Sequence, residues 1–432
     1  NATGALTYSL NDSYANIAGN STVTNGADSF TVTVTNATDS SGLNQDVTSL
    51  GAKLADIDAS ASTQANHITL NATTTSFEGG SGNDTVTIAT APTHDITGGA
   101  GTDELVWNTA GNFNASAFIS GFETLNAGML ANGTLDATGF STVHIGGATA
   151  GDITFSNAAA GTGLVIDGAS GHNVTYSLAT DTASDAVSVT IGNASTTGLD
   201  LQGNTLTLTG IETVNISSTG TGAGSNQVAL VDVSAKTLTV AGSENLVVTN
   251  SGPSALTSVN ASTTTNGVNL SGLATANAVT EIGGTGADVL HASAGLSTLT
   301  GNGGADTFGF TANVNGYTYA TVTDFNLSQD TLDLSGLVNG GDLNAAITNI
   351  ANVTLESGNF AANLSAAAAG NGSGNALVNS FIYGGNTYVV VDNSASNTFQ
   401  NGTHGDQVIK LSGAFDLSTA SVDTAGHLAL TA

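Results

Sequence analysis

The chain contains no cysteine and no arginine, and only two prolines, one tryptophan and three lysines among its 432 residues. Each scarcity excludes something. Without cysteine neither disulfides nor thiolate metal sites can form, which suits a bacterial extracellular protein that takes its rigidity from another source. Lys53, Lys236 and Lys410 face 33 Asp plus Glu, for a formal net charge of −30. Such a chain cannot neutralise phosphates, which argues against nucleic-acid binding, and an anionic membrane surface repels it. No apolar run reaches the roughly 18 residues a membrane-spanning helix needs. No secretory leader is visible, and a start at Asn1 instead of Met is expected of a processed chain or a fragment. What the charge favours is divalent cations, with self-repulsion keeping the chain soluble until they arrive.

What is abundant is Thr, Ser, Asn, Gly and Ala, arranged in short apolar-polar alternations: ITFS, LTLT, VSVTI, TVTVTN, YVVV. Period-two alternation rich in Val, Ile and Thr and bounded by Gly/Asn/Ser reads as many short strands. Pro92 and Pro253 hardly interrupt it, as a continuously hydrogen-bonded sheet requires. Helical patterns are confined to Val47–Ala59 and Glu356–Ala369. The expected fold class is all-β.

Internal repeats decide the β architecture. Gly283-Gly284-Thr285-Gly286-Ala287-Asp288-Val289-Leu290-His291 fits the nonapeptide G-G-x-G-x-D-x-U-x, where U is apolar. Gly301 to Gly309 fits it again 18 residues on, with Asn302 replacing the second glycine and Gly303 and Asp306 in place. Near the N-terminus Gly79–Thr87, with Ser81 and Asp84, and Gly98–Val106, with Ala100 and Asp103, match at an offset of 19. Apolar residues outside the glycines keep the same phase: Leu290, Leu299 and Phe308, and likewise Ile68, Phe77 and Val86, then Ile96 and Leu105. Nine residues make a half-turn, six for a tight turn and three for a short strand whose middle side chain points inward. Two halves make one coil of a parallel β-roll or β-helix solenoid.

Glycine allows the positive φ values by which a six-residue loop turns sharply and aims its carbonyl oxygens one way. The Asp at the sixth position joins them. Two such loops stacked one coil apart form a cage of carbonyl and carboxylate oxygens, which suits Ca²⁺ as a hard cation. Zinc, preferring nitrogen and sulfur, is not indicated. The expected cages pair Asp84 with Asp103 and Asp288 with Asp306. On the opposite edge Ser297 stands where an acid belongs, and no ion is expected there. A lone G-G-x-G-x-D is as readily a glycine-rich turn with an incidental acid. Two pairs in register with apolar residues argue for the cage.

These nonapeptides resemble those of bacterial RTX-repeat proteins exported by type I secretion, and the chain is most similar to the calcium-dependent surface-layer (S-layer) proteins among them. The S-layer resemblance rests on the middle of the chain. Gly121-Phe122-Glu123-Thr124-Leu125-Asn126 recurs as Gly210-Ile211-Glu212-Thr213-Val214-Asn215 and degenerately as Gly242-Ser243-Glu244-Asn245-Leu246. Here Glu123 and Glu212 are expected to cap turns and not to bind metal. Val322 to Ser335 resembles the segment that closes the roll in RTX proteins, including serralysin-type metalloproteases. That resemblance implicates Asp324 and Asp330 in holding a terminal calcium. Phe381 to Val391 reads as a hairpin with a glycine-rich turn. Gly405–Leu411 resembles the last cap strand before a C-terminal export signal. The domains expected are 1–60, an N-terminal β/short-helix region; 61–312, the solenoid with calcium turns at 79–106 and 283–309; and 313–432, a cap with the secretion signal.

Enzyme signatures are missing. The protease kinship demands H-E-x-x-H, and neither it nor G-x-S-x-G nor a P-loop occurs. Seven histidines, 67, 94, 144, 172, 291, 404 and 427, are scattered and read as turn or surface residues. A polysaccharide-cleaving carboxylate pair would need aromatic platforms and basic residues that Trp107 and three lysines do not supply. The function expected is structural and not enzymatic: a secreted, cell-surface protein assembling with copies of itself into a calcium-stabilised layer, with a cell-surface polysaccharide as a possible anchor. The alternative is a calcium-dependent adhesin or biofilm-matrix filament.

Overall fold

The computed structural model describes residues 30–33, 44–46 and 54–430, apart from breaks at 71–75, 109–110, 115–116, 129–131, 169–170, 251–254, 274–276, 294–295, 314, 316, 339–346, 349–350, 353–358, 370–376, 403–404 and 424. Among the described residues the fold is a β-solenoid of parallel stacked strands, about 12 turns. Two compact units divide it: residues 1–182 with 187–190 and 203–209, and residues 183–186, 191–202 and 210–432.

In the first unit, alternation puts every second side chain inside, and parallel pairing aligns those side chains from coil to coil. Ile68, Val86, Leu105, Leu125, Val143 and Leu164 form one inward column in continuous register, all buried. Leu135, Phe155, Tyr176 and Leu208 form another. The buried Tyr176 hydroxyl donates to the Thr162 carbonyl at 2.8 Å, satisfying its polar end inside the core. The inward phase read at Ile68, Phe77, Val86, Ile96 and Leu105 is the observed one, each being buried. The expected helix Val47–Ala59 is not formed where it can be followed. Leu54–Asp58 is a strand, paired in parallel with Phe30–Thr33 and Ser76–Glu78, while 47–53 lie outside the described residues. Ile57 and Ala59 point in and Asp56 points out, a period of two that coil stacking selects over local helix preference.

The second unit has the same construction. Val214, Leu238, Val259, Glu281, Leu299, Val322 and Leu411 share one inward column. Leu290, Phe308, Leu332 and Leu428 share the facing one. The stack ends in a cap of mixed pairing, parallel where Gln407–Leu411 joins it and antiparallel beyond. Gln407–Leu411 covers the edge of Thr321–Val322 and pairs with Asn386–Asp392, the second arm of the expected hairpin, whose first arm is Leu377–Tyr383. His427–Leu430 covers Thr331–Asp333. An open last coil would template further strands, so covering both edges removes an aggregation surface. The second expected helix is present as Phe360–Ala367, opened by Asn359, whose side chain accepts the Ala361 N–H. It buries Leu364 and Ala367 against Phe381, Tyr388, Val390, Phe399 and Val408.

Candidate metal centre

In both units the glycine turns lie over one another because the strands flanking them pair. Gly79–Asp84 leads from Ser76–Glu78 to Thr85–Ile88, and Gly98–Asp103 leads from Ile96–Thr97 to Glu104–Trp107, one coil on. Gly283–Asp288 and Gly301–Asp306 are related in the same way through Thr280–Ile282, Val289–Ala292, Thr298–Thr300 and Thr307–Phe310. The turns continue the ladder at their third residue. The Ser81 N–H donates to the Ser62 carbonyl at 2.9 Å and Ala100 to Gly80 at 2.8 Å. Thr285 donates to Thr264 at 3.1 Å and Gly303 to Gly284 at 3.2 Å. Asn302 holds φ at +66°, which asparagine tolerates better than most L-residues, and its Nδ2 donates to the Gly283 carbonyl at 2.8 Å.

The aspartates stack as the repeat places them, and each is bonded to the coil before it. Asp84 Oδ1 accepts the Asn66 backbone N–H and Nδ2, both at 2.8 Å, and its Oδ2 accepts the Gly80 N–H at 3.2 Å. Asp103 Oδ1 accepts the Asp84 N–H at 2.7 Å. In the second unit Asp288 takes the Val268 and Gly284 N–H groups at 2.8 and 2.7 Å, and Asp306 takes the Asp288 N–H at 2.9 Å. The closing segment extends this column. Asp330 accepts from Asp306 and Asn326 at 3.0 and 2.7 Å, and Asp324 accepts from Gly301 and Asn302 at 3.0 and 2.7 Å. One carboxylate oxygen of each nonapeptide Asp thus locks neighbouring coils together. Charge-assisted bonds of this kind contribute about 1.5–3 kcal/mol each.

The second oxygen faces the first glycine of its own turn. A Cβ placed on Gly283 would run into Asp288 Oδ2 and the Gly301 carbonyl oxygen of the next coil. On Gly79 it would meet Asp84 Oδ2 and the Gly98 carbonyl, and on Gly98 it would meet Asp103 Oδ2 and the Gly121 carbonyl. Carboxylate and next-coil carbonyl oxygens therefore converge at each of these glycines, where no side chain fits. Among the described residues no three His, Cys, Asp or Glu side chains gather as an all-side-chain metal site. The donors brought together are hard oxygens, one carboxylate and one main-chain carbonyl at each of these glycines, which fits Ca²⁺ and not a nitrogen- or sulfur-seeking metal.

Electrostatics leave these carboxylates short of compensation. Burial pushes Asp84, Asp103, Asp288 and Asp330 above the usual carboxylate range, and backbone hydrogen bonds only partly oppose it. Burial pushes Asp306 up to about 6, with the charges of Asp288, Asp330 and Asp324 adding to the effect.

Other residues make the same cross-coil bond. Glu123 accepts the Asp103 N–H at 2.8 Å, Glu212 accepts the Asp185 N–H at 2.9 Å, and the Ser297 hydroxyl accepts the Val279 N–H at 3.1 Å. Glu244 accepts from both Gly222 and Gly224. Two further polar features escaped the sequence reading. Glu281 is buried in the apolar column between Val259 and Leu299, where its Oε2 accepts the His291 N–H at 2.8 Å and its Oε1 has no partner. Burial pushes it up to about 8. Its signal was available, since it stands nine residues before Leu290, in the inward phase. His144, expected at a turn or on the surface, is half-buried on the strand Thr142–Ile145. It lies 2.6 Å from Glu104 and 2.8 Å from Asp167. Burial lowers its affinity for a proton, but its hydrogen bonds to the two carboxylates outweigh that and raise it. Its partners arrive from coils 40 and 23 residues away, so only the stacking reveals them. No protein-family model matches the chain, and no curated protein matches it.

Proposed function

We propose that this protein is a structural component of a bacterial surface layer, exported unfolded and folded outside the cell by calcium. The observation that carries the reading is the convergence of buried carboxylate and next-coil carbonyl oxygens at Gly79, Gly98 and Gly283, the first glycines of three of the four turns. Asp84 with Asp103, and Asp288 with Asp306, are the acids that would hold the ion, with carbonyl oxygens from Gly79, Ser81, Gly98, Ala100, Gly283, Thr285, Gly301 and Gly303 around them. Asp324 and Asp330 serve the last coil. Calcium, when bound, supplies the positive charge that these buried carboxylates lack.

The chain's own residues account for the rest. At a net charge of −30 the carboxylates repel one another while free calcium is scarce, which opposes coiling and keeps the chain threadable. At roughly millimolar calcium, extracellular modules with dissociation constants of about 10⁻⁴ to 10⁻³ M become occupied. Any ligand that binds the folded state alone adds folding free energy. The same screening lets like-charged copies approach, and exposed acids on adjoining copies share further calcium ions.

Electron microscopy of the purified chain with calcium tests the reading. A two-dimensional lattice that dissolves into monomers on chelation is the expected result. Isolated fibres would transfer the protein to the adhesin or matrix-filament class, and an array indifferent to chelator would end the bridging idea.

A further inference from the structure

The acid column of the first unit runs one coil past the last glycine nonapeptide. Asp103 is fully buried, and its Oδ2 has no hydrogen-bond partner, unlike Asp84 Oδ2 and Asp288 Oδ2, which each accept a glycine N–H. A buried carboxylate oxygen left unpaired is costly and calls for a proton or a cation to satisfy it. The Gly121 carbonyl of the following coil converges with that oxygen on the place a side chain of Gly98 would occupy. Gly121 reaches this place at φ +68°, in a short turn, Gly121–Glu123, that stands where the coils before it have six residues.

Glu123 ends that short turn. Its own N–H and that of Thr124 donate to the Asp103 carbonyl at 3.1 and 3.0 Å, and its Oε2 accepts the Asp103 N–H. The second acid is thereby fixed against the first, and the longer glutamate arm makes up for the shorter turn. We propose that Asp103, the Gly121 carbonyl and Glu123 form a further divalent-cation site, at which a G-x-E turn replaces the glycine nonapeptide. The proposal rests on the calcium reading above and extends it to a motif that was expected to cap turns. Glu212 supplies the internal contrast. It makes the same backbone bond, to Asp185, but Asp185 is not among the residues with a buried oxygen lacking a partner.

Counting bound calcium per full-length chain by equilibrium dialysis with elemental analysis tests this. E123Q keeps a side-chain oxygen for the Asp103 N–H and removes the charge. It is expected to bind one calcium ion fewer than wild type, while melting within about 2 °C of it when both are calcium-free. D288N is expected to lose one ion from the second unit, and E212Q none. If D288N loses its ion and E123Q loses none, the Glu123 site is overturned and the nonapeptide sites stand. A calcium-free E123Q that no longer folds would make Glu123 a structural brace and also overturn the site. If wild type and all three variants bind no calcium, the parent reading has failed and this one with it.

Discussion

Glu281 stands where the repeat places an apolar side chain, with Val259 and Leu299 above and below it in the column. Its one hydrogen bond serves the His291 amide, and its other oxygen is bare, so the charged form is strongly disfavoured and its affinity for a proton rises to about 8. The folded chain then binds this proton more tightly than the unfolded chain, whose glutamate titrates near 4.5. Stability from this group is complete below that value and is lost as pH rises through about 8, at up to about 1.4 kcal/mol per pH unit. E281Q is therefore expected to flatten the decline in calcium-free stability between pH 6 and 8.5, measured by urea unfolding; an unchanged slope would refute the assignment. His144 has the opposite character, satisfied by Glu104 and Asp167. H144A removes two charge-assisted bonds and leaves the carboxylates facing each other. The expected cost is about 1–3 kcal/mol, read in the same unfolding experiment near pH 6.

A coil is held by three things at once: an inward apolar residue on each strand, a parallel ladder, and a cross-coil bond from an acid or serine at the turn. Phe308 illustrates the first, sitting fully buried between Leu290 and Leu332. F308A is expected to cost about 3–5 kcal/mol and to lower calcium affinity, because the cavity loosens the strand that follows Asp306. A calorimetric melt with and without calcium checks both effects. Most of this element was legible beforehand, because the nine-residue phase links Leu290, Leu299 and Phe308 whatever the turns contain. The turn acids were legible for the same reason. Their backbone partners were not, because the Asn66 and Val268 amides belong to coils without a complete motif and only register brings them under Asp84 and Asp288. The strand at Leu54–Asp58 was misread because its apolar positions fit a helix as well as a strand until a neighbouring coil is present to pair with it. Glu281 was missed because a search for apolar residues at the inward phase passes over an acid occupying one.

For the molecule as a whole, proton and calcium compete for the same carboxylates. Without calcium, Asp84, Asp103, Asp288, Asp306 and Asp330 all hold protons more tightly folded than unfolded, Asp306 up to about 6. Asp232, buried and with one oxygen unpartnered, also rises to about 6. The unfolded chain binds fewer protons through this range, so calcium-free stability must fall as pH rises from 5 to 8. Asp58, Asp423 and Glu104 shift the other way but titrate below this range, while His291, lowered by burial, opposes the trend and His144, raised, adds to it. Calcium reverses the sign. A carboxylate that ligates an ion must be deprotonated, which drops its folded affinity for protons below the unfolded value, and stability then falls as pH is lowered. Melting temperatures measured from pH 5 to 8 should therefore slope downward with pH in chelator and upward in millimolar calcium, the two lines crossing in mild acid. D306N should shallow both slopes, since it removes the same group from both equilibria. Parallel lines would mean that the acids serve only as acceptors for backbone amides, and that the glycine turns stack without an ion.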